Sequence, residues 1–332
     1  MIDGSAEALI TQTPRWLDCI CATGPYEDAS RFYEFDEGGR IVVPLVRRRH
    51  WPAHLIARDA WPSEWGIGGP VASGEPDLEQ ARAVFGDLVR LPANRVSVRF
   101  GPNADPMWLS AVPSDFTTLR HTTYILDLVG GFGDVWERRF TGPVRTAVRK
   151  AEKVGVEVEV DRTGRLVPAF YALYQHSIAR WARQQHEPLA LARWRRHRID
   201  PLSKFQAVSE TFADSCTVWL ASYQGQHAAA LMVLRHGPHV KYWRSGMVKE
   251  LANPSRATTL LHKLAIEDAC EAGCLFYHMG DSPPGSSVSA FKERLGARGY
   301  TSFGYRRELI PLTSIDQRLR SVAKHLIGFK DE

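Results

Sequence analysis

Two stretches of this chain, 31–128 and 217–309, present the same order of elements: a hairpin, a further strand-like segment, a helix, a strand, a short helix and a last strand. In the first, Asp36-Glu37-Gly38-Gly39 turns 31–35 back onto 40–46. In the second, Gln224-Gly225-Gln226 turns 217–223 back onto 227–235. The residues differ but the order repeats. A chain of 332 residues is also too long for one compact core. A duplicated α/β fold is the economical reading, with the site expected in the cleft where the copies meet. Gly130-Gly131-Phe132-Gly133 marks the boundary. This predicts domains over 1–133 and 134–310, then a tail over 311–332 with an amphipathic helix at 315–327.

Local patterns fill in the second half. A helix is expected over 135–154, stopped by Gly155, and 156–160 alternates as a strand. Pro168 opens a helix with Phe170, Leu173, Tyr174, Ser177, Ile178 and Trp181 on one face and Arg180 at its margin. Asn253 and Pro254 read as the cap and first turn of a helix reaching Glu271. In the first half, 51–71 is rich in Trp, Pro and Gly and reads as irregular strand and loop.

The five cysteines, Cys19, Cys21, Cys216, Cys270 and Cys274, lack zinc spacing, and no metal is expected. Free thiols in a reducing cytoplasm are expected. No apolar run approaches the ~18 residues of a membrane span. Asp3 and Glu7, with no apolar segment beside them, argue against a signal peptide. The net charge of +5 and a pI near 9.0 favour an anionic partner; phosphate metabolites, CoA and RNA all qualify. The excess is clustered. Arg145, Arg149, Lys150 and Lys153 recur along one helix, and Arg193-Trp194-Arg195-Arg196-His197-Arg198 is the densest run. An aromatic among arginines fits nucleic-acid contact, and a solvated helix face fits equally.

Residues 277–296 concentrate the chemistry. Tyr277-His278-Met279 ends a strand, Gly280 to Gly285 is a polar Gly/Pro loop, and a short helix follows. Ser286 or Ser287 can cap that helix and Gly296 can stop it. Val288, Phe291 and Leu295 share a face, with Lys292 roughly 70° from its centre at ~100° per residue. An ammonium below a helix N-terminus suits an anion or a developing oxyanion. It equally fits a lysine snorkelling at the edge of a core helix. Asp281 is the acid of the loop and the candidate base; a turn aspartate is the plain alternative.

The ordered motifs resemble a known family. They are Ile67-Gly68-Gly69-Pro70, Thr122-Thr123-Tyr124-Ile125-Leu126-Asp127-Leu128, Arg145-Thr146-Ala147-Val148-Arg149-Lys150-Ala151-Glu152-Lys153, the helix residues from Phe170 to Arg180, Tyr242 to Gly246, and Phe291-Lys292-Glu293-Arg294-Leu295-Gly296. Together they are similar to the Fem-like branch of the GNAT acyltransferase superfamily, the aminoacyl-tRNA-dependent peptidyl transferases and their relatives. The resemblance implies an α/β chain of two tandem GNAT-like domains, mixed sheets flanked by helices, with a cleft between them. It implies Lys292 and Arg180 beside the acceptor's phosphates and the reacting carbonyl, and Tyr242 in the cleft. Ser286 joins Arg180 and Tyr242 as a substrate-binding candidate. The segment 181–216 is too short for the long helical arm of many cell-wall members.

The expected reaction is amide formation on an acceptor amine, in peptide-natural-product or peptidoglycan-precursor biosynthesis. Ordinary GNAT enzymes bind CoA pyrophosphate on a Gly-rich loop opening a helix. The equivalent place here, Asn253-Pro254-Ser255-Arg256-Ala257, has no glycine, and Pro254 removes a donor. That favours aminoacyl-tRNA as the donor, with no further cofactor, over acyl-CoA. Arg145, Arg149, Lys150, Arg193, Arg195 and Arg196 would hold the tRNA, and a small molecule or peptide would supply the amine. Neither DNA nor a membrane span is expected. An acyl-CoA-dependent N-acyltransferase and a non-catalytic binding module of the same fold are the alternatives.

Overall fold

The computed structural model describes residues 8–36, 38–50, 57–62, 64–102, 104–313, 316, 318 and 329. The helix expected over 315–327 lies outside the described residues except at 316 and 318, as do 51–56 and 63 of the irregular stretch. The chain divides into two units. One comprises the described residues of Met1–Thr122 and Thr301–Val322; the other comprises those of Thr123–Tyr300 with position 329.

The first unit opens with α1 (Pro14–Thr23), capped by Thr13, whose hydroxyl accepts from the Trp16 N–H at 3.3 Å. Short strands follow: β1 (Tyr26–Asp28), β2 (Arg31–Glu34), β3 (Arg40–Val43), β4 (Val46–Arg48), β5 (Ala57–Asp59) and β6 (Val71–Ser73). The expected hairpin is β2 with β3, and β6 extends it into a separate three-stranded sheet. Pro44, which has no N–H to donate, stands between β3 and β4, and β4 pairs elsewhere. Next come α2 (Leu78–Arg90), β7 (Arg95–Arg99), α3 (Pro106–Ser110) and β8 (Thr117–Asp127). Asp77 and Gln80 form a reciprocal capping box at the head of α2. Strand β5 runs parallel to β7 across this helix, and β4 pairs antiparallel with β1 and β5.

The second unit begins within β8. A single helix was expected over 135–154. Instead α4 (Gly131–Asp134) runs into a wide turn, Val135–Arg139, closed by the Phe140 N–H on the Val135 carbonyl at 2.8 Å. Phe140 and Thr141 are then extended, and α5 (Gly142–Lys153) starts afresh. Pro143 accounts for the break: inside a continuous helix its ring would clash with the carbonyl four residues back. The chain continues through β9 (Glu157–Asp161), α6 (Val167–Gln184), α7 (Leu189–Ile199), α8 (Leu202–Phe212), β10 (Cys216–Tyr223), β11 (Gln226–His236) and β12 (His239–Met247). The helix expected from Asn253 to Glu271 is two pieces, α9 (Lys249–Ser255) and α10 (Ala257–Glu271). Arg256, left-handed at φ 62°, separates them, so Asn253 and Pro254 lie in the last turn of α9 and not the first of α10. The run ends with β13 (Phe276–Asp281), α11 (Ser287–Arg294) and β14 (Arg298–Glu308).

Strands β9, β10, β11 and β12 pair antiparallel in that order, β12 pairs parallel with β13, and β13 pairs antiparallel with β8. Strand β14 pairs antiparallel with β7. So β8 ends the first repeat but pairs with a strand of the second, and β14 ends the second repeat but pairs with a strand of the first. Tyr305 of β14 accordingly packs 6.2 Å from Phe85 of α2, in the aromatic core of the first unit.

On α6 the buried residues are Val167, Phe170, Leu173, Tyr174, Ser177, Ile178 and Ala182, with Trp181 half-buried. The helix sits on β12 at Gly246. A methyl group there would stand 2.3 Å from the Tyr174 nitrogen and 2.4 Å from the Leu173 carbonyl carbon. Both neighbours are backbone and cannot swing aside. Gly246→Ala is therefore expected to destabilise the protein by about 2–3 kcal/mol. A thermal midpoint equal to that of the parent would show that α6 does not seat here.

Candidate active site

The site grows from one irregularity in the second sheet. Strands β12 and β13 pair only at His239↔Phe276, Val240↔Tyr277 and Lys241↔His278, although β12 runs on to Met247 and β13 to Asp281. Just there β12 has a bulge: Met232 of β11 faces Arg244 and Val233 faces Tyr242, leaving Trp243 as the extra residue. A bulge bends and twists the strand that carries it. The two parallel strands thus part after Lys241 and His278, leaving strand edges facing an open wedge near their carboxyl ends.

Lys292 closes one side of the wedge. Ser286 caps α11 by accepting from the Ser289 N–H at 3.1 Å, and Gly296, at φ 85°, ends the helix. The buried face differs from the expected one. Val288 is 53% exposed, while Ser289, Lys292 and Leu295 are buried. Lys292 is only 4% exposed because its ammonium finds three oxygens: the carbonyls of Gly280 and Asp281, each at 2.9 Å, and Ser282 Oγ at 2.8 Å. The Tyr124 ring lies 5.4 Å from the same nitrogen. Burial, reinforced by Lys241 and opposed by Asp281, lowers its pKa from 10.5 to about 8. With three acceptors around it, the group is an ammonium at neutral pH.

Asp281 lies at the end of β13, exposed, and its carboxylate accepts from the Thr123 hydroxyl at 2.8 Å. Across the wedge, the Tyr242 hydroxyl pairs with Ser245 Oγ, and its ring meets His262 edge-on at 4.8 Å. His262, on α10, is 1% exposed; its Nδ1 is 3.3 Å from the Tyr277 hydroxyl, and Phe291 packs at 5.4 Å. Burial first, then Lys292, pulls its pKa down to about 3, so it is a neutral imidazole. His262 carries no motif in the sequence, and Thr123 and Ser282 lie within the strand motif and the polar loop without a role assigned by either. The signal available was a histidine among the apolar residues Leu260, Leu261, Ala265 and Ile266.

A pair of further histidines lies where β12 and β13 are still joined. His239 Nδ1 and His278 Nε2 are 3.0 Å apart, and burial, His239 and Lys241 pull His278 down to about 3. His262 and His278 thus stay neutral in the folded protein at pH values where the unfolded chain, with ordinary values near 6.5, takes up protons. Stability should fall as pH drops from 6.5 toward 3, by about 1.4 kcal/mol per pH unit for each such histidine. Urea unfolding at pH 7, 5 and 4 reads this. His262→Gln should make the dependence shallower; an unchanged slope would refute it.

The remaining candidates are placed as follows. Arg180 lies on α6 with its guanidinium 5.7 Å from the Trp181 ring, and Arg196 of α7 lies against the same ring at 5.9 Å. Arg195 pairs with Glu187 at 2.7 Å and Arg196 reaches Asp200 at 3.8 Å. Arg145 folds back on the carbonyls of Trp136 (3.0 Å), Glu137 (3.2 Å) and Phe140 (2.5 Å), fixing the wide turn before α5. Arg149 and Lys150 are exposed, with Arg149 6.0 Å from Trp136. The structure thus gathers Lys292, Asp281 and Tyr242 around the wedge, while Ser286 caps α11 and the arginines lie on α5, α6 and α7.

Beside the wedge, Asp200 is fully buried between α7 and α8. It accepts from Lys204 Nζ and the Tyr174 hydroxyl, both at 2.8 Å, and from Arg244 at 3.5 Å. Burial alone would raise its pKa; Arg244, then Lys204, outweigh it and hold the carboxyl near 2. This network ties β12, through Arg244, to α6, α7 and α8.

Residues 138–293 match the family model described as the acetyltransferase (GNAT) domain. No curated protein matches the chain by sequence. Among solved structures, that of FemX is similar over 97% of this chain and 96% of its own, with a TM-score of 0.66 and 13% identity. The C-terminal domain of a protein described as a lysylphosphatidylglycerol synthetase, from Agrobacterium fabrum, aligns over 95% of each chain with a TM-score of 0.53 and 13% identity. A conserved protein of unknown function from Bacteroides thetaiotaomicron covers 89% of this chain and 88% of its own, with a TM-score of 0.52 and 9% identity. Residues 138–293 thus resemble the acetyltransferase domain of the GNAT class. The likeness to FemX over nearly the whole of both chains shows a shared fold. Among the described residues, no helix is long and apolar enough to cross a membrane.

Proposed function

We propose that this protein forms an amide bond by transferring an aminoacyl group from aminoacyl-tRNA to the amine of a small molecule or peptide, in the making of a peptide natural product or a peptidoglycan precursor. The observation that carries the donor reading is the head of α10. No glycine occurs between Gly246 and Gly273, and α10 is preceded by the helical α9 and a left-handed Arg256. A CoA pyrophosphate needs a cradle of converging backbone N–H groups, which a Gly-rich loop supplies and this arrangement does not. The resemblance to the Fem-like branch and the basic excess support the same donor.

In this reading the opened edges of β12 and β13 hold the donor's acyl group by backbone hydrogen bonds. The acceptor amine, with a pKa of ~8, must lose a proton to attack. That first proton goes to solvent; as the neutral amine forms the C–N bond, Asp281, held by Thr123, takes the nitrogen's second proton and passes it to the departing ribose oxygen as the ester C–O bond breaks. The tetrahedral oxyanion is stabilised by Lys292. In the structure Ser282 Oγ occupies one of the three ammonium hydrogens, and an oxyanion, the stronger acceptor, displaces it. Tyr242, Arg180 and Ser286 border the acceptor, with Arg180 on its phosphate or carboxylate.

The test is a direct comparison of donors with the purified protein and a panel of amines. Transfer from charged tRNA that disappears on RNase treatment supports the proposal. Release of free thiol from acyl-CoA, unaffected by RNase, would replace it with CoA-dependent acyl transfer. No transfer from either donor would favour a binding module.

A further inference from the structure

We infer that the outward face of α7 is a stacking platform for an unpaired RNA end, with Trp194 as the surface on which a base lies and Arg193 and Arg198 as the cations facing its phosphates. This rests on the donor reading above and adds a site to it.

Helix α7 buries only Ala192. At ~100° per residue, Trp194 falls about 160° from Ala192, at the middle of the outward face. There Trp194 is 58% exposed, an unusual setting for a large aromatic surface. The Arg198 guanidinium stands 4.9 Å from the indole centroid, and Arg193 and His197 are exposed beside it. The two other arginines turn inward: Arg195 to Glu187 and Arg196 to Asp200. Asp200 in turn holds Arg244 of β12, so the platform stands on a helix tied to one arm of the wedge. The helix carries four arginines, one histidine and no acid.

These features select the partner. Cations without acids call for a polyanion, and an exposed indole flanked by guanidinium groups offers a base its π-face. An anionic membrane would need a continuous apolar face. The exposed Leu189 and Leu191 lie about 140° and 60° around the helix from Trp194, and Arg198 lies between Leu191 and Trp194. An unpaired strand is favoured over a duplex because its bases are open to stacking. The 3′ end of a tRNA donor is such a strand.

The experiment measures binding of fluorescently labelled single-stranded RNA of about a dozen mixed-sequence nucleotides, and of uncharged tRNA, to the full-length protein across a salt series. Melting curves confirm that the variants fold. Trp194→Ala should weaken both ligands about tenfold, and Trp194→Phe should recover most of that loss. Arg193→Ala with Arg198→Ala should reduce the slope of log K against log salt by about 1.4 for the single strand. Unchanged RNA affinity in Trp194→Ala would overturn the platform. So would binding to phosphatidylglycerol vesicles that Trp194→Ala abolishes while RNA binding is untouched, which would make the face a membrane contact. Assaying transfer from charged tRNA in the same variants separates the two readings. Transfer with unaltered RNA binding in Trp194→Ala sinks the platform alone; RNA binding that needs Trp194 without transfer from charged tRNA sinks the donor.

Discussion

Replacing Lys292 by methionine is expected to lower the rate of acyl transfer by about 10²- to 10³-fold, the usual consequence of removing a preorganised oxyanion donor. Methionine keeps the length and the apolar stem but supplies no hydrogen to the Gly280 and Asp281 carbonyls or to Ser282 Oγ. A drop in melting midpoint should therefore accompany the loss of rate. Lys292→Arg should not recover activity, because a planar fork does not fit three acceptors converging on one nitrogen. The pH profile gives an independent reading. The acceptor amine becomes reactive as pH rises toward ~8, while the ammonium of Lys292 is lost as pH rises through about 8. Transfer should peak near pH 8 and decline on both sides. A full rate in Lys292→Met would remove this group from the chemistry and leave it as a fastening for the β13 turn.

The largest effect on stability is expected at Asp200. Asp200→Asn keeps the shape but leaves Lys204, 1% exposed, as a buried ammonium without its carboxylate. Breaking one side of a buried ion pair costs about 3–5 kcal/mol. Adding Lys204→Met removes the stranded charge and should restore much of the loss, whereas a variant limited by shape would gain nothing. Denaturant unfolding of the four proteins in the cycle measures this. The pH dependence carries the same sign. The carboxyl titrates near 2 when folded and at about 3.8 ordinarily, so its stabilisation is complete above about pH 4 and fades as pH falls toward 2. In Asp200→Asn that dependence should vanish. Because Asp200 also holds Arg244, the single variant should loosen β12 beside the wedge.

Much of the layout was readable where local chemistry decides alone. The two hairpins, the alternating β9, the cap at Ser286 and the stop at Gly296 each depend on a few neighbouring residues. The misreadings share one cause. Periodicity joined 135–154 and 253–271 into single helices, because the apolar spacing runs across both breaks. Pro143 and the left-handed Arg256 interrupt them. On α11 the apolar stripe pointed to Val288, yet the helix buries Lys292, since three oxygens on another element satisfy it.

The sequence by itself determined the duplicated order of elements, the basic excess, the missing glycines before α10 and the place of a lysine on a short late helix. Each follows from residue type and spacing, which act over a turn or two of chain. Only the tertiary structure decided that β8 and β14 complete the sheets of each other's repeats, that β12 and β13 part after three residue pairs, and that His262 and Asp200 stand buried beside that opening. These depend on groups far apart in the chain, where a hydrogen-bond partner or an ion pair overrides the preference of the local pattern.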